Sequence, residues 1–311
     1  MSASILVTGG AGFIGSKLVA DLVGQGHHVV ILDDLSNGSL ENINLDSSTF
    51  VNGSITDSLL VDQLFKENSF DFAFHLAARG SVPRSIKDPK GTLEVNLLGT
   101  QNILMGCLQK KTKFIFSSSS SVYGSNPKLP KRESDWTDPI SPYGASKLSS
   151  EYLIKSFHHA YGLPIQVFRF FNVFGPGQSF SNAYSAVIPK WIKACIKGDP
   201  IILEGDGEQS RDFTYVDDLT RVLTLSISED IDRPNLLNLA FGRSYSLREI
   251  IDHLEMVFPN IFVEVVPPRE GDVRKSLSDP SLLLKFFPQA RQTPFEIALR
   301  NTVHWVQARI K

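Results

Sequence analysis

Tyr143 and Lys147 stand four residues apart, and an unbroken run, Ser117 to Ser121, precedes them. On a helix, that spacing puts both side chains on one face. A Lys ammonium beside a phenol favours the phenolate and so lowers its pKa. A tyrosine tuned in this way serves as a general base or acid. A hydroxyl from the serine run can hydrogen-bond the same substrate oxygen. Alone, Tyr-x-x-x-Lys is a common spacing that a chance surface pair also satisfies. The proposed chemistry therefore needs elements that position these groups and a cofactor to work with them.

The N-terminal stretch meets both needs. Ser4 to Thr8 reads as a short buried strand, and Gly9-Gly10-Ala11-Gly12-Phe13-Ile14-Gly15 follows it. A helical pattern then runs through Leu18, Val19 and Leu22, ends at Gly24 and Gly26, and leads to a second strand, His28 to Leu32. In a strand–turn–helix of this kind, glycines permit the tight turn and the close approach of backbone to a pyrophosphate. The phosphates rest on the helix N-terminus. Asp33 closes the second strand, where a carboxylate binds the adenosine ribose diol. It would repel a 2′-phosphate, and no Arg follows it in Asp34-Leu35-Ser36-Asn37. The expected cofactor is NAD rather than NADP.

The alternation continues down the chain. Phe70 to Ala77 reads as a strand ending in the small residues of Leu76-Ala77-Ala78, and Thr92 to Leu108 as one long helix containing Asn96. Lys113 to Ser117 is a strand that feeds the serine run. A helix after Tyr143 follows, then a very apolar strand from Ile165 to Phe171, as expected of a strand buried on both faces. Alternating strands and helices imply an α/β fold, a doubly wound parallel-sheet Rossmann domain, with ligands at the carboxyl ends of the strands. This domain is expected over residues 1–172. Beyond it, Pro and Gly recur and the elements shorten, so 173–311 is expected to be mainly a smaller mixed α/β substrate lobe. Part of 212–240 returns to the Rossmann domain. Helical patterns in the second region fall near 184–197, 218–227, 247–257 and 295–308.

Composition narrows the function classes. Of 311 residues 42% are hydrophobic and 21% charged, and the net charge is −2. That balance argues against a nucleic-acid binder, which carries a basic excess. No apolar run approaches a membrane span, so no membrane partner is expected. Two cysteines, Cys107 and Cys195, imply no disulfide framework. No basic-then-apolar leader precedes the first strand, and a cytoplasmic setting is expected. The adjacent pairs His27-His28 and His158-His159 cannot chelate from one helix face, and no metal site is expected.

The glycine stretch, the Ser-rich strand end, Tyr143-x-x-x-Lys147 and Arg211-Asp212-Phe213 together resemble an extended short-chain dehydrogenase/reductase acting on nucleotide sugars. The resemblance runs from Ile5 to about Trp305. Gly80 to Ser85, Ala183 to Trp191 and Arg269 to Arg274 resemble more narrowly the UDP-N-acetylglucosamine 4-epimerases of bacterial surface-polysaccharide pathways. The resemblance implies that Gly9, Gly12 and Gly15 approach the pyrophosphate, that Asp33 binds the ribose and that Asn37 reaches the adenosine end. It places Phe13, Ile14, Ser54, Ile55, Leu76, Ala77, Ala78, Asn96 and Ser117 along the cofactor. Ser54 is a departure, since the family often has Asp beside the adenine. Ser119, Tyr143 and Lys147 match the catalytic set. Ser81, Arg84, Asn172, Ala186, Val187, Lys190, Arg211, Arg269, Asp272 and Ser276, with Ser119, are implied to hold the UDP-sugar. Arg84, Arg211 and Arg269 are candidate partners of its diphosphate, because guanidinium binds phosphate through two donors. A homodimer through the helices near 92–108 and 144–161 is also implied.

The chemistry implied is epimerisation at C4′ through a 4-ketopyranose, with Tyr143 as base, Ser119 orienting O4′ and Lys147 bonding the nicotinamide ribose. Rival readings stay open. A 4,6-dehydratase of this family has an Asp-Glu pair directly after its catalytic Thr, where this chain has Ser120 and Ser121. The decarboxylases carry a Glu in the same stretch. A catalytically silent nucleotide-binding scaffold usually lacks the Tyr or the Lys.

Overall fold

The computed structural model describes residues 2–180, 186–228, 235–268 and 274–310. Its strands are β1 (Ser4–Thr8), β2 (His28–Asp33), β3 (Thr49–Asn52), β4 (Phe72–His75), β5 (Lys113–Ser119), β6 (Ile165–Phe170), β7 (Asn172–Phe174), β8 (Ile201–Glu204), β9 (Ser210–Tyr215), β10 (Leu236–Leu239), β11 (Ser244–Ser246) and β12 (Val263–Val266). Its helices are α1 (Phe13–Gly24), α2 (Ser58–Glu67), α3 (Val82–Lys87), α4 (Pro89–Leu93), α5 (Gly99–Lys110), α6 (Pro142–Tyr161), α7 (Val187–Lys197), α8 (Val216–Ser228), α9 (Leu247–Glu255), α10 (Ser281–Phe286) and α11 (Phe295–Gln307).

The chain divides into two units. The first comprises Met1–Pro127, Glu133–Phe170 and Thr220–Leu237, and the second Lys128–Arg132, Phe171–Leu219 and Asn238–Lys311. The first is built on a seven-stranded sheet in the order β10-β6-β5-β4-β1-β2-β3. The pairs from β3 across to β6 are all parallel. Chain order reverses between β1 and β4, and the carboxyl ends of these two strands flank the crevice where such folds bind ligands. β6 is buried along its whole length, as a strand covered on both faces must be. The second unit carries a three-stranded sheet, β11-β9-β7, and a two-stranded pair, β12-β8.

Local chemistry fixes the helix that carries the chemistry. α6 begins at Ser141, whose hydroxyl accepts from the Gly144 N–H at 3.1 Å, with Pro142 in the first turn. It ends at Gly162, left-handed at φ 67°. The expected single helix over 92–108 is interrupted. A π-type turn over Glu94–Leu98 separates α4 from α5. The Asn96 carbonyl accepts the Thr100 hydroxyl at 2.6 Å and the Ser150 hydroxyl at 3.0 Å, partners that help hold the bulge. Among the described residues, no helix is long and apolar enough to cross a membrane.

Candidate active site

The glycine turn after β1 is shaped for a dinucleotide. Gly9 is left-handed at φ 71°, and a Cβ there would lie 2.7 Å from the Ala77 nitrogen. A Cβ on Gly15 would fall on the Gly9 carbonyl oxygen. Packing thus demands both. Gly12 differs, since an added Cβ would meet only the Gly9 oxygen, at 3.2 Å. Its bare face is the open side of the cradle. Helix α1, beginning at Phe13 and Ile14, has neither a side-chain cap nor an acidic residue in its first turn, so its positive end is left for an anion. Asp33 is held by the Ala11 N–H at 3.0 Å and the Leu35 N–H at 2.8 Å. Burial raises its pKa, and these two bonds oppose that shift. The residues present fit NAD.

The other cofactor residues lie around this crevice. Ser54 bonds the Thr56 hydroxyl at 2.8 Å, and Ile55 is buried against Gly99. Leu76, Ala77 and Ala78 directly follow β4, with the Ala77 N–H 3.3 Å from the Thr8 hydroxyl. Asn96 is buried, its amide accepting from the Arg79 N–H at 2.8 Å and donating to Ser146 at 3.0 Å. Asn37 accepts from the Arg84 guanidinium at 3.1 Å, which puts Arg84 beside the loop that follows β2.

His75 was not singled out by the sequence reading. It is fully buried, with Nδ1 2.7 Å from the Thr8 hydroxyl and Nε2 3.0 Å from the Thr100 hydroxyl. Thr100 donates to the Asn96 carbonyl, so it accepts from Nε2–H, and Nδ1 is left to accept from Thr8. Burial, helped by the Lys147 charge, holds the imidazole down at about 3, and it remains neutral. The relay ties the Ala77 segment to Asn96 through the sheet. The available signal was a His closing an apolar strand.

The reactive side chains come together as their spacing predicts. Ser119 ends β5, and its hydroxyl is the neighbour that lowers the pKa of the Tyr143 phenol. Its hydroxyl also lies 3.2 Å from that of Ser121. Lys147 is buried on the same face of α6, its Nζ donating to the Ser117 carbonyl at 2.7 Å and lying 4.6 Å from the centre of the Phe116 ring. The electrostatics differ from the expectation of a lowered phenol. Burial raises the Tyr143 pKa and outweighs the lowering effect of Ser119. The same loss of water brings Lys147 down to about 7, against a weaker upward pull from Glu151. Near neutral pH the free protein therefore holds a phenol beside a partly neutral amine, and little fixed positive charge is left to favour phenolate.

The second unit holds most of the remaining expected residues. Asn172 begins β7 and is exposed. Ala186 caps α7, Val187 opens it, and Lys190 is exposed one turn along. Arg211 lies on β9, half-buried, and donates to its neighbour's carbonyl at 2.9 Å. The strip carrying Ser276 runs alongside β9, with Ser210 N–H to the Arg274 carbonyl and Ser276 N–H to the Ser210 carbonyl, both 3.0 Å. Ser81 caps α3 in the first unit, accepting from the Arg84 N–H at 3.2 Å. Arg269 and Asp272 lie outside the described residues. Among the described residues, no group of acids, His and Cys could hold a metal.

A nucleotide-binding crevice at a sheet switch point, with a Ser–Tyr–Lys set beside it, defines a dinucleotide-dependent enzyme of the Rossmann type. The NAD dependent epimerase/dehydratase family matches residues 5–240, and the chain belongs to that family. Its cofactor is NAD. A UDP-glucose 4-epimerase of Halalkalibacterium halodurans is 33% identical over 285 residues, covering 86% of this chain and 85% of the relative. A UDP-N-acetyl-alpha-D-glucosaminuronate decarboxylase of Bacillus cytotoxicus is also 33% identical, covering 98% of each chain. Among solved structures, a UDP-N-acetylglucosamine 4-epimerase from Methanobrevibacter ruminantium in complex with UDP-N-acetylmuramic acid superposes with a TM-score of 0.94. It is 38% identical and covers 99% of both chains.

Proposed function

We propose that the protein is a UDP-hexose 4-epimerase that interconverts UDP-GlcNAc and UDP-GalNAc. The observation that carries this reading is the placing of the Ser119 hydroxyl beside the Tyr143 phenol, with Lys147 on the same helix face and only hydroxyls at positions 120 and 121. Elimination needs an acid and a base at C5 and C6. Glu151, the carboxylate that the structure places near Lys147, is committed to Arg169. NAD held by Gly9, Gly12, Gly15, Asp33 and Lys147 would supply a hydride acceptor at C4′ and a donor for its return. Ionised Tyr143 would take the O4′ proton and give it back, and Ser119 would orient O4′. Arg211 and Arg269 would hold the diphosphate.

The test is to supply the purified protein, with no cofactor added, with UDP-GlcNAc, UDP-Gal and UDP-glucuronate separately and to follow mass and sugar proton couplings. Epimerisation changes the C4′ coupling and leaves the mass unchanged. Loss of water or of carbon dioxide would replace this reading with a dehydratase or a decarboxylase.

The same reading includes a homodimer. Leu98 is 52% exposed, Met105 45% and Tyr152 63%, on the segments expected to form the interface. Leu98 and Met105, seven residues apart, share a helix face. Sedimentation of the wild type as a dimer, and of Met105→Glu with Tyr152→Glu as a monomer, is expected. A monomeric wild type would refute it.

A further inference from the structure

Glu151 and Arg169 take no part in the proposed proton transfers, yet they form a fully buried two-pronged ion pair. Arg169, on β6, donates from Nε to Oε1 at 2.9 Å and from Nη2 to Oε2 at 2.7 Å, and the two side chains are only 4% and 9% exposed. The Ser118 hydroxyl donates to the same carboxylate. The guanidinium also lies over the Tyr123 ring, 4.7 Å from its centre. Stability does not require such a pair, because apolar residues of similar volume usually serve as well. Its location suggests a different reason for it.

Glu151 follows Lys147 by one turn of α6, just as Lys147 follows Tyr143, so three ionisable groups share one helix face. The end of β5 meets all three. Ser119 lies beside the Tyr143 phenol, the Ser117 carbonyl accepts from Lys147, and Ser118 bonds Glu151. The ionisable groups facing Lys147 are Tyr143 and Glu151 on its own helix and the neutral His75 on β4. Arg169 and Tyr123 face Glu151 from beyond it.

We infer that Glu151 is a positioning residue for the Tyr143–Lys147 pair: clamped by Arg169 and Ser118, its fixed negative charge favours the ammonium form of the buried Lys147 side chain against the Ser117 carbonyl. This rests on the reading of Lys147 as part of the catalytic set. The clamp matters as much as the charge, since a carboxylate free to turn would bond Lys147 directly and pull it off that carbonyl. Burial alone favours the neutral amine, and Glu151 is the neighbouring charge that opposes it.

The experiment follows Lys147 itself. The protein is labelled with [ε-13C]lysine, the Lys147 resonance is assigned by its loss in Lys147→Arg, and its midpoint is titrated by NMR. Glu151→Gln should lower the midpoint by about one pH unit or more. Glu151→Asp should largely restore it. If Glu151→Gln leaves Arg169 unpaired and does not fold, Glu151→Gln with Arg169→Met removes both charges, and the midpoint should still fall. The alkaline limb of the UDP-hexose conversion profile should move to lower pH with it, whereas a merely structural role would lower the rate at every pH alike. An unchanged midpoint overturns the inference, and so does a lowered midpoint with an unmoved alkaline limb. If the wild type converts no UDP-hexose, the proposed function fails, while the NMR midpoints still decide the coupling.

Discussion

Tyr143→Phe is expected to convert UDP-hexoses at roughly a hundredth of the wild-type rate or less, the usual cost of deleting a general base. The substitution keeps the ring and removes only the phenol oxygen beside Ser119. The cradle of Gly9, Gly12 and Asp33 is untouched, so NAD should still be released when the purified variant is denatured, with none having been added. Loss of activity with NAD retained separates a missing base from a damaged fold. Turnover near the wild-type rate would remove Tyr143 from the mechanism. The pH profile adds a second check. Burial raises the phenol's pKa, so the reactive phenolate grows in as pH rises, and the wild-type rate should climb with pH on its acidic side. Lys147→Ala takes away what ammonium charge there is, and the acidic limb should move to higher pH. An acidic limb that stays in place would break the link between the two residues.

How much of this could be read from the sequence depended on whether the signal was local. The glycine turn, Asp33 and the Tyr143–Lys147 spacing each lie within one strand, turn or helix, where composition dictates geometry, and the strand–helix alternation carried the sheet. The π-type turn at Asn96 was not legible, because hydrophobic periodicity runs through it while one of the hydrogen bonds to its carbonyl comes from Ser150 on a different helix. Nor was the pairing of Arg169 with Glu151. A lone Arg in an apolar strand signals a buried partner, but which acid it meets depends on how α6 lies on β6. Arg84, a candidate partner of the diphosphate, is bonded to Asn37 in the loop after β2, a contact that its type alone does not disclose. The tuning of the pair was misjudged for a physical reason. Proximity of charge can be read from spacing, but the burial that outweighs it exists only once the sheet is formed.

Ser276→Tyr is expected to depress conversion of UDP-GlcNAc and UDP-GalNAc far more than conversion of UDP-Gal. The strip carrying Ser276 resembles the segment that walls the sugar pocket in 4-epimerases, where enzymes restricted to the non-acetylated sugars have a Tyr. A wall selects by clash only if it cannot retreat, and the backbone of this strip is anchored on both sides of Ser276. Upstream, the strip is bonded to Ser210 through Arg274 and Ser276. Downstream, Ser278 gives both its N–H, at 2.9 Å, and its hydroxyl, at 2.7 Å, to one oxygen of Asp212. Asp212 is fully buried on β9 and also receives the Gly242 N–H at 3.1 Å. Burial pushes its carboxyl up to about 6, and the bonds from Ser278 and Gly242 pull against that shift. A Tyr at 276 would therefore project from an anchored backbone and meet an N-acetyl group rather than move aside. In the wild type the smaller sugars leave only space or water behind, so preference for the acetylated pair should be modest, about 10–200-fold. The measurement is kcat/KM for UDP-GalNAc and UDP-Gal in both proteins. A wild type that turns over UDP-Gal well and ignores UDP-GalNAc would refute the N-acetyl reading and leave 4-epimerisation standing. Equal losses on both sugars in the variant would mean that Ser276 does not face the C2 substituent.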